Sequence, residues 1–511
     1  ADDCVVWDAS GAKPAIWQSE RTQYESAEVE PALQGAFQVS LRDGQQVACK
    51  TVWDRFRERV DEYPVERVAE ITWVPAKDIA QAARMYAKAK PAAIHWGVPI
   101  DMTPAITPTT QGIAALWCLT GNLDRPGGNV ISRYAFDAVA YALPGAEGII
   151  KLKSAEADEK RIGRDRYGPL RQFIWRAHTD LVLDQIFSED PYPIKGMWIQ
   201  TCNPLAGIGL DPLKWREALK KLDFVAVVDL FMTPTAQYAD VVLPATTFLE
   251  KESVRSWWVP LQSINKAIEV EECRSDLEIN FELAKRFDPD FRWDTIHDLF
   301  DDIVRPAGMT FEELQEKGWA FPPEGHPSHP YHRYQKGLLR PDGQPGFQTP
   351  SGKMELHSIL RENWGSEPLP DYEEPPFTPV SQPELLKEYP LILSTGRRSA
   401  VFFHAEHRNI PWLRDLDPDP LVEIHPDTAK SLDIGGGEWV WIENWMGRCR
   451  FRAKVTLEVP PWMVMATHGW WFPEEPAEEP SLYGVWKSNI NQLIPMGYQG
   501  EDGLGAPIKH M

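Results

Sequence analysis

Apolar and polar positions form their most readable pattern between residues 197 and 252. Met197-Trp198-Ile199 is a short apolar run that breaks at Thr201-Cys202-Asn203-Pro204. From Pro212 to Leu222, Trp215, Ala218, Leu219 and Leu222 recur at helical spacing and share one face. Phe224-Val225-Ala226-Val227-Val228 then reads as a strand that stops at Asp229, and Val241-Val242-Leu243 as another that ends at Pro244. Strand, helix, strand, helical turn, strand is the order of a parallel α/β sheet. Ligands of such sheets sit beyond the carboxyl ends of the strands. Thr201, Asn203, Asp229, Thr233 and Asp240 fall near those ends or in the connections after them. An Asn-Pro turn and a helix-capping Asp explain the same residues without a ligand. With no glycine-rich phosphate fingerprint, local chemistry leaves both readings open.

The same patterns give coarser expectations elsewhere. AFQVSLRDGQQVAC alternates like a strand pair, and Pro75 opens a helix whose buried face is Ile79, Ala82, Ala83 and Tyr86. Residues 92–97 read as a strand, 111–119 and 279–287 as helices, and 146–190 as a charged surface excursion. The proline-rich run 366–384 reads as a linker. Beyond it, short strands are expected at 391–394, 421–424, 438–443, 449–457 and 463–466, separated by glycine turns, which suggests a small β-barrel. The expected fold is α/β, with parallel-sheet nucleotide-binding domains followed by that barrel. Its divisions are 1–92, 93–375, a linker at 376–390, and 391–511.

The net charge of −22 argues against nucleic acid and anionic membranes as partners. No stretch approaches the roughly 18 apolar residues of a membrane helix. The compartment stays open, with the cytoplasm favoured. Six scattered cysteines include no CxxC pair, so they offer neither local iron–sulfur ligands nor a disulfide framework.

Candidate chemistry gathers after residue 394. Thr395-Gly396-Arg397-Arg398 combines backbone N–H groups with guanidinium forks suited to a pterin, a pyrophosphate or an oxyanion. His404, His407, Arg408 and Asn409 follow. HxxH invites a zinc reading but lacks a third ligand at definite spacing. His326, His329 and His332 invite another, in a proline-rich run that fixes no geometry. His468 precedes an aromatic cluster, Trp470-Trp471-Phe472, where packing explains the residues as well as function does.

VAVVDLFMTPTAQYADVVLP (225–244), LTGNLDRPGGNV (119–130), FQTPSGKMEL (347–356), the TGR of 395–397 and NINQL (489–493) together resemble the molybdopterin-dependent oxidoreductases of the dimethyl sulfoxide reductase family. Within that family the pattern is nearest the acetylene hydratase-like anaerobic enzymes. The resemblance runs from about residue 62 to the end. It implies a six-stranded C-terminal barrel capping the cofactor, bis-molybdopterin guanine dinucleotide with molybdenum or tungsten. The family's GxNP turn reads Thr201-Cys202-Asn203-Pro204 here. Carried over, the contacts would fall on those four residues, on Asp229, Thr233 and Asp240, on Thr395, Gly396, Arg397, Arg398, His404, Arg408, Asn409 and His468, and on Asn491. Neither the family's [4Fe–4S] segment nor its usual metal-ligating residue has a counterpart before residue 62. The expectation is therefore a C-terminal portion with no catalytic residue identified and no metal ligand of its own. It would be completed by an N-terminal segment or subunit carrying the cluster, and an electron-transfer subunit could join it. A non-redox hydratase or hydroxyl-transferring enzyme of the same family, and a silent cofactor-binding scaffold, are the alternatives.

Overall fold

The computed structural model describes residues 4–97, 100, 103–131, 136, 155–172, 177–208, 211–256, 260–270, 272–323, 326, 331–397, 399–497 and 500–504. Strands β1 (Cys4–Asp8), β2 (Lys13–Gln18) and β3 (Gln23–Tyr24) form an antiparallel sheet. Next to it in sequence, β4 (Ala36–Ser40) and β5 (Gln46–Lys50) make the hairpin that the alternation implied, with Val39 opposite Val47.

The parallel sheet forms where the apolar runs place it. Its strands β6 (Gly196–Gln200), β7 (Phe224–Asp229) and β8 (Val241–Pro244) lie in that order, with Ile199 opposite Val227 and Val228 opposite Leu243. Val225 to Val228 are all buried, as a strand covered on both faces requires. Helix Pro212–Lys221 starts on Asp211, whose side chain accepts from the Lys214 N–H, with proline at its first position. It buries Trp215, Ala218 and Leu219 in a core with Leu183, Ile186, Val225 and Val227. Trp471, Leu482 and Val485 enter that same core, so the C-terminal part packs directly on the parallel sheet.

A second core forms around Phe300, Val304, Phe311 and Leu314. It joins β9 (Ser253–Arg255), β10 (Leu261–Ile264) and β11 (Trp319–Ala320) to helices Asp276–Phe287, Ile296–Val304 and Phe311–Lys317. Each helix opens on a reciprocal cap: Ser275 with Glu278, Thr295 with Asp298, Thr310 with Glu313.

Residues 92–97 do not form the expected strand. Asn122 Oδ1 accepts from the Ala92 N–H, and the Asn129 amide accepts from the Ile94 N–H while donating to its carbonyl. Two side-chain amides take the place of a neighbouring strand. Gly128 permits this, because a Cβ there would lie 2.1 Å from the Asn122 carbonyl oxygen.

The C-terminal sheet contains β12 (Ile392–Arg397), β13 (Leu421–Ile424), β14 (Trp439–Asn444), β15 (Gly447–Val455) and β16 (Met463–Thr467), in the order β12-β16-β13-β15-β14. Cys449, Phe451 and Ala453 of β15 point into its core, and the intervening arginines point away. The described residues thus give five strands with two edges, rather than the expected closed six-stranded barrel. β12 loses register between Ser394 and Arg397. Ile490 and Leu493 cover the core from a single 3-10 turn instead of a sixth ladder.

Candidate functional site

A cavity of about 690 Å³ opens beyond the carboxyl ends of β6 and β7. One wall comes from the turn after β6 (Thr201, Cys202, Asn203), the residues after β7 (Asp229 to Phe231, Thr233) and those after β8 (Thr246 to Leu249, Lys251). The opposite wall is the loop Phe403–Ile410 of the C-terminal part, with Trp471 behind it. Its size lies within the usual range of small-molecule sites, about 300–1,000 Å³.

The turn after β6 is tightly specified. Thr201 has φ +52°, a left-handed conformation that a β-branched residue rarely takes. It stands at the glycine position of the resembled family's GxNP pattern, where a residue without a Cβ would take this conformation freely. Asn203 Oδ1 accepts from Thr235 Oγ1 at 2.6 Å, and Thr235, fully buried, also accepts from the Leu205 N–H. Pro204 is buried and opens one π-type turn over residues 204–208. Asn489 Nδ2 donates to the Leu205 carbonyl at 2.7 Å, and Asn491 Nδ2 reaches the Gly207 carbonyl at 3.5 Å. A Cβ on Gly207 would stand 3.1 Å from Ala405. Asn491 and the 403–409 loop therefore meet the same turn, and Asn491 does so without lining the cavity.

Asp229 is the charge at the cavity floor. Its carboxylate accepts from the adjacent Leu230 N–H. Burial holds its pKa above the usual carboxylate range against that hydrogen bonding, with Glu406 and Asp276 adding repulsion. Lys251 lies 3.8 Å from Asp276. Cys202 is pushed up to about 11, mainly by burial and further by Asp229 and Glu406, so it is a neutral thiol. Asn409 Oδ1 and Thr246 Oγ1 are buried without a hydrogen-bond partner among the described residues. The acidic charge of Asp229 and Glu406 suits a ligand that brings N–H or O–H donors.

The facing loop is held by its own contacts. His404 Nδ1 and His468 Nε2 are 2.9 Å apart and share one hydrogen bond. Buried Arg408 donates from Nε to the Gly469 carbonyl and from Nη2 to the carbonyls of His404 and His468. Its guanidinium lies 4.2 Å from the ring centres of both Phe402 and Trp470. Arg408, expected to bind the cofactor, ties the loop to the strand end through these contacts.

The other expected residues divide as follows. Thr201, Cys202, Asn203, Asp229, Thr233, His404 and Asn409 line one cavity. Asp240 does not: its carboxylate accepts from the Val225 N–H, at the opposite end of β7. Thr395 and Gly396 sit at the register break of β12 and Thr395 is buried. Arg397 pairs through its backbone with Thr467; its side chain, Arg398 and His329 lie outside the described residues. Among the described residues no group of three or more His, Cys, Asp or Glu is placed to hold a metal ion. Sequence reasoning missed Thr235, Thr246, Asp276 and Glu406. Glu406 stood in view within HAEH, masked by the histidines that flank it.

Two family models match the chain: molybdopterin oxidoreductase over residues 79–286, and molydopterin dinucleotide binding domain over 391–500. The two matches hold the two walls of the cavity. The chain belongs to the molybdopterin oxidoreductase family. Among this family's enzymes it is 30% identical to a dopamine dehydroxylase of Eggerthella lenta, over 91% of this chain and 53% of that protein. It is 32% identical to the acetylene hydratase of Syntrophotalea acetylenica, over 83% of this chain and 60% of that one. A solved acetylene hydratase from Pelobacter acetylenicus superposes with a TM-score of 0.78 at 28% identity, covering 90% of this chain and 65% of the other. The chain therefore spans just over half the length of the curated relatives it matches.

Proposed function

We propose that this chain grips a molybdopterin guanine dinucleotide in the cavity between β6–β8 and the 403–410 loop. It would do so as the C-terminal part of a molybdenum- or tungsten-dependent bis-molybdopterin guanine dinucleotide oxidoreductase. The observation that carries the reading is the cavity itself, built from both matched segments. It is lined by the polar residues Asn203, Thr246 and Asn409 beside Asp229, whose acidic neighbours are Glu406 and Asp276. Asp229 would accept from the N–H edge of guanine or a ribose hydroxyl; Asn203 and Asn409 would orient the nucleotide. The cofactor's metal supplies the redox or Lewis-acid chemistry when bound. The histidine pair and the Arg408 brace set the shape of the facing wall.

An N-terminal segment or subunit with a [4Fe–4S] cluster is part of this reading, and an electron-transfer subunit joins it where electrons must leave. Phe231, Met232, Phe248, Leu249 and Phe403 are exposed at the cavity rim and suit such a cover. No described helix is long and apolar enough to cross a membrane. Resemblance to acetylene hydratase favours, as a second reading, hydration without net redox change.

Extraction of nucleotide and metal from the purified complex tests the proposal. Stoichiometric guanine nucleotide released together with molybdenum or tungsten is the expected result. A complex containing this chain, active yet free of guanine nucleotide, would end it. Electron-acceptor dependence of turnover separates the oxidoreductase from the hydratase.

A further inference from the structure

We infer that the outer face of the β14–β15 hairpin is a docking surface for a carboxylate-rich segment of a partner protein. The alternation of β15 places Arg448, Arg450 and Arg452 on the side opposite Cys449, Phe451 and Ala453. In register, Trp439 lies across from Arg452, Trp441 from Arg450 and Glu443 from Arg448. The side chains interleave into a ladder. The Arg452 and Arg450 guanidinium carbons stand 5.3 and 5.0 Å from the Trp439 ring, and that of Arg448 stands 4.6 Å from Trp441. These indoles remain 41% and 57% exposed, so the ladder is an outer surface of the chain.

The charges do not balance within the chain. Arg452 pairs with Asp419 at 3.1 Å, and Lys454, next along the strand, with Glu423 at 3.0 Å and Glu458 at 3.4 Å. Among the described residues no carboxylate comes within ion-pair distance of Arg448 or Arg450, although acids outnumber Lys and Arg by 75 to 53. Arg450 Nε, like the Nε of Arg452 that faces Asp419, is buried against the ladder, which leaves the outer nitrogens of Arg450 for a partner. A guanidinium stacked on an indole has its plane fixed, with its N–H edges directed outward for a carboxylate fork. A ladder that served only to stabilise the hairpin would not need two arginines left uncompensated. Trp and Arg are also the residues that dominate protein–protein hot spots. A polyanion such as nucleic acid would meet the repulsion of a chain with net charge −22; a short acidic segment would reach the ladder locally. This surface is separate from the nucleotide cavity, and the inference does not depend on it.

A random glutamate–tyrosine copolymer serves as the probe, titrated against the chain at low and at elevated salt. Heparin and phosphatidylglycerol vesicles are titrated in parallel, with tryptophan fluorescence as readout. Saturable, salt-sensitive binding of the copolymer is expected, weakened about tenfold or more by Arg448→Glu with Arg450→Glu. Glu443→Lys should tighten it by about threefold, a gain that misfolding cannot imitate. No saturable copolymer binding, or binding untouched by both changes, overturns the inference. Tighter and equally variant-sensitive binding of heparin or vesicles overturns it in favour of a polyanion or a membrane surface.

Discussion

Two charged side chains belong to the two walls of the cavity, half-buried Asp229 and buried Arg408, and they are used in opposite ways. Asp229, at the end of β7, has no cation paired with it among the described residues and has acidic neighbours in Glu406 and Asp276. Arg408, in the facing loop, directs its guanidinium at three main-chain carbonyls and two aromatic rings. Both were expected to bind the cofactor. A carboxylate at a strand end among acidic neighbours suits a ligand; a guanidinium engaged by carbonyls and rings suits a scaffold. One wall is chemically unfinished, and the other is fitted to hold its shape.

The largest effect should come from breaking the scaffold. Arg408→Ala leaves buried carbonyls of His404, His468 and Gly469 without donors, each at a cost of about 1–3 kcal/mol. The chain should lose about 3 kcal/mol or more, seen as a lower melting midpoint, and the His404–His468 contact should open. If the variant melts like the parent but loses guanine nucleotide, Arg408 touches the ligand after all and the contrast fails.

Asp229→Asn probes the other side. It should lower nucleotide retention about tenfold, the scale of one charge-assisted hydrogen bond, and yet stabilise the empty chain. The sign follows from the raised pKa. The folded state disfavours the carboxylate, so at neutral pH the charged aspartate costs stability that asparagine does not. As pH falls through that raised value the aspartate takes up a proton and the difference closes. Melting curves of the two apo chains between about pH 4 and neutrality check this. A gap that widens on acidification would contradict the assignment.

The contrast explains what was legible. The β6–β8 sheet was readable because Val225 to Val228 and the Trp215 stripe carry their burial in their spacing. The strand-end position of Asp229 followed from that grammar. The bracing contacts of Arg408 were not legible, because sequence shows a guanidinium but not whether carbonyls already surround it. Asp240 lay near a connection in sequence, yet parallel strands run the same way, so the start of β8 falls beside the start of β7 at the far end of the sheet. Residues 92–97 looked like a strand and lack only the partner strand, which two asparagine side chains replace. Glu406 was visible within HAEH and Asp276 at a helix start, but their approach to Asp229 arises from three distant segments converging on one cavity.

The smallest effect, and the finest test of the contrast, lies at Thr201. A left-handed conformation costs a non-glycine residue about 1–2 kcal/mol, and Thr201 adopts one at φ +52°. Thr201→Gly relieves that strain but gives the unfolded chain more freedom, a loss of about 0.4–1 kcal/mol. The net gain should be real and below about 1 kcal/mol. Thr201→Val keeps both the shape and the strain while removing only the hydroxyl, so its melting should match the parent. The two variants therefore separate backbone from side chain. If the threonine is retained for its hydroxyl at the cavity, Thr201→Gly and Thr201→Val should lose nucleotide retention equally while only the glycine variant gains stability. If neither loses retention, the β6 turn offers the ligand its backbone alone, and the strain at Thr201 has no return in binding.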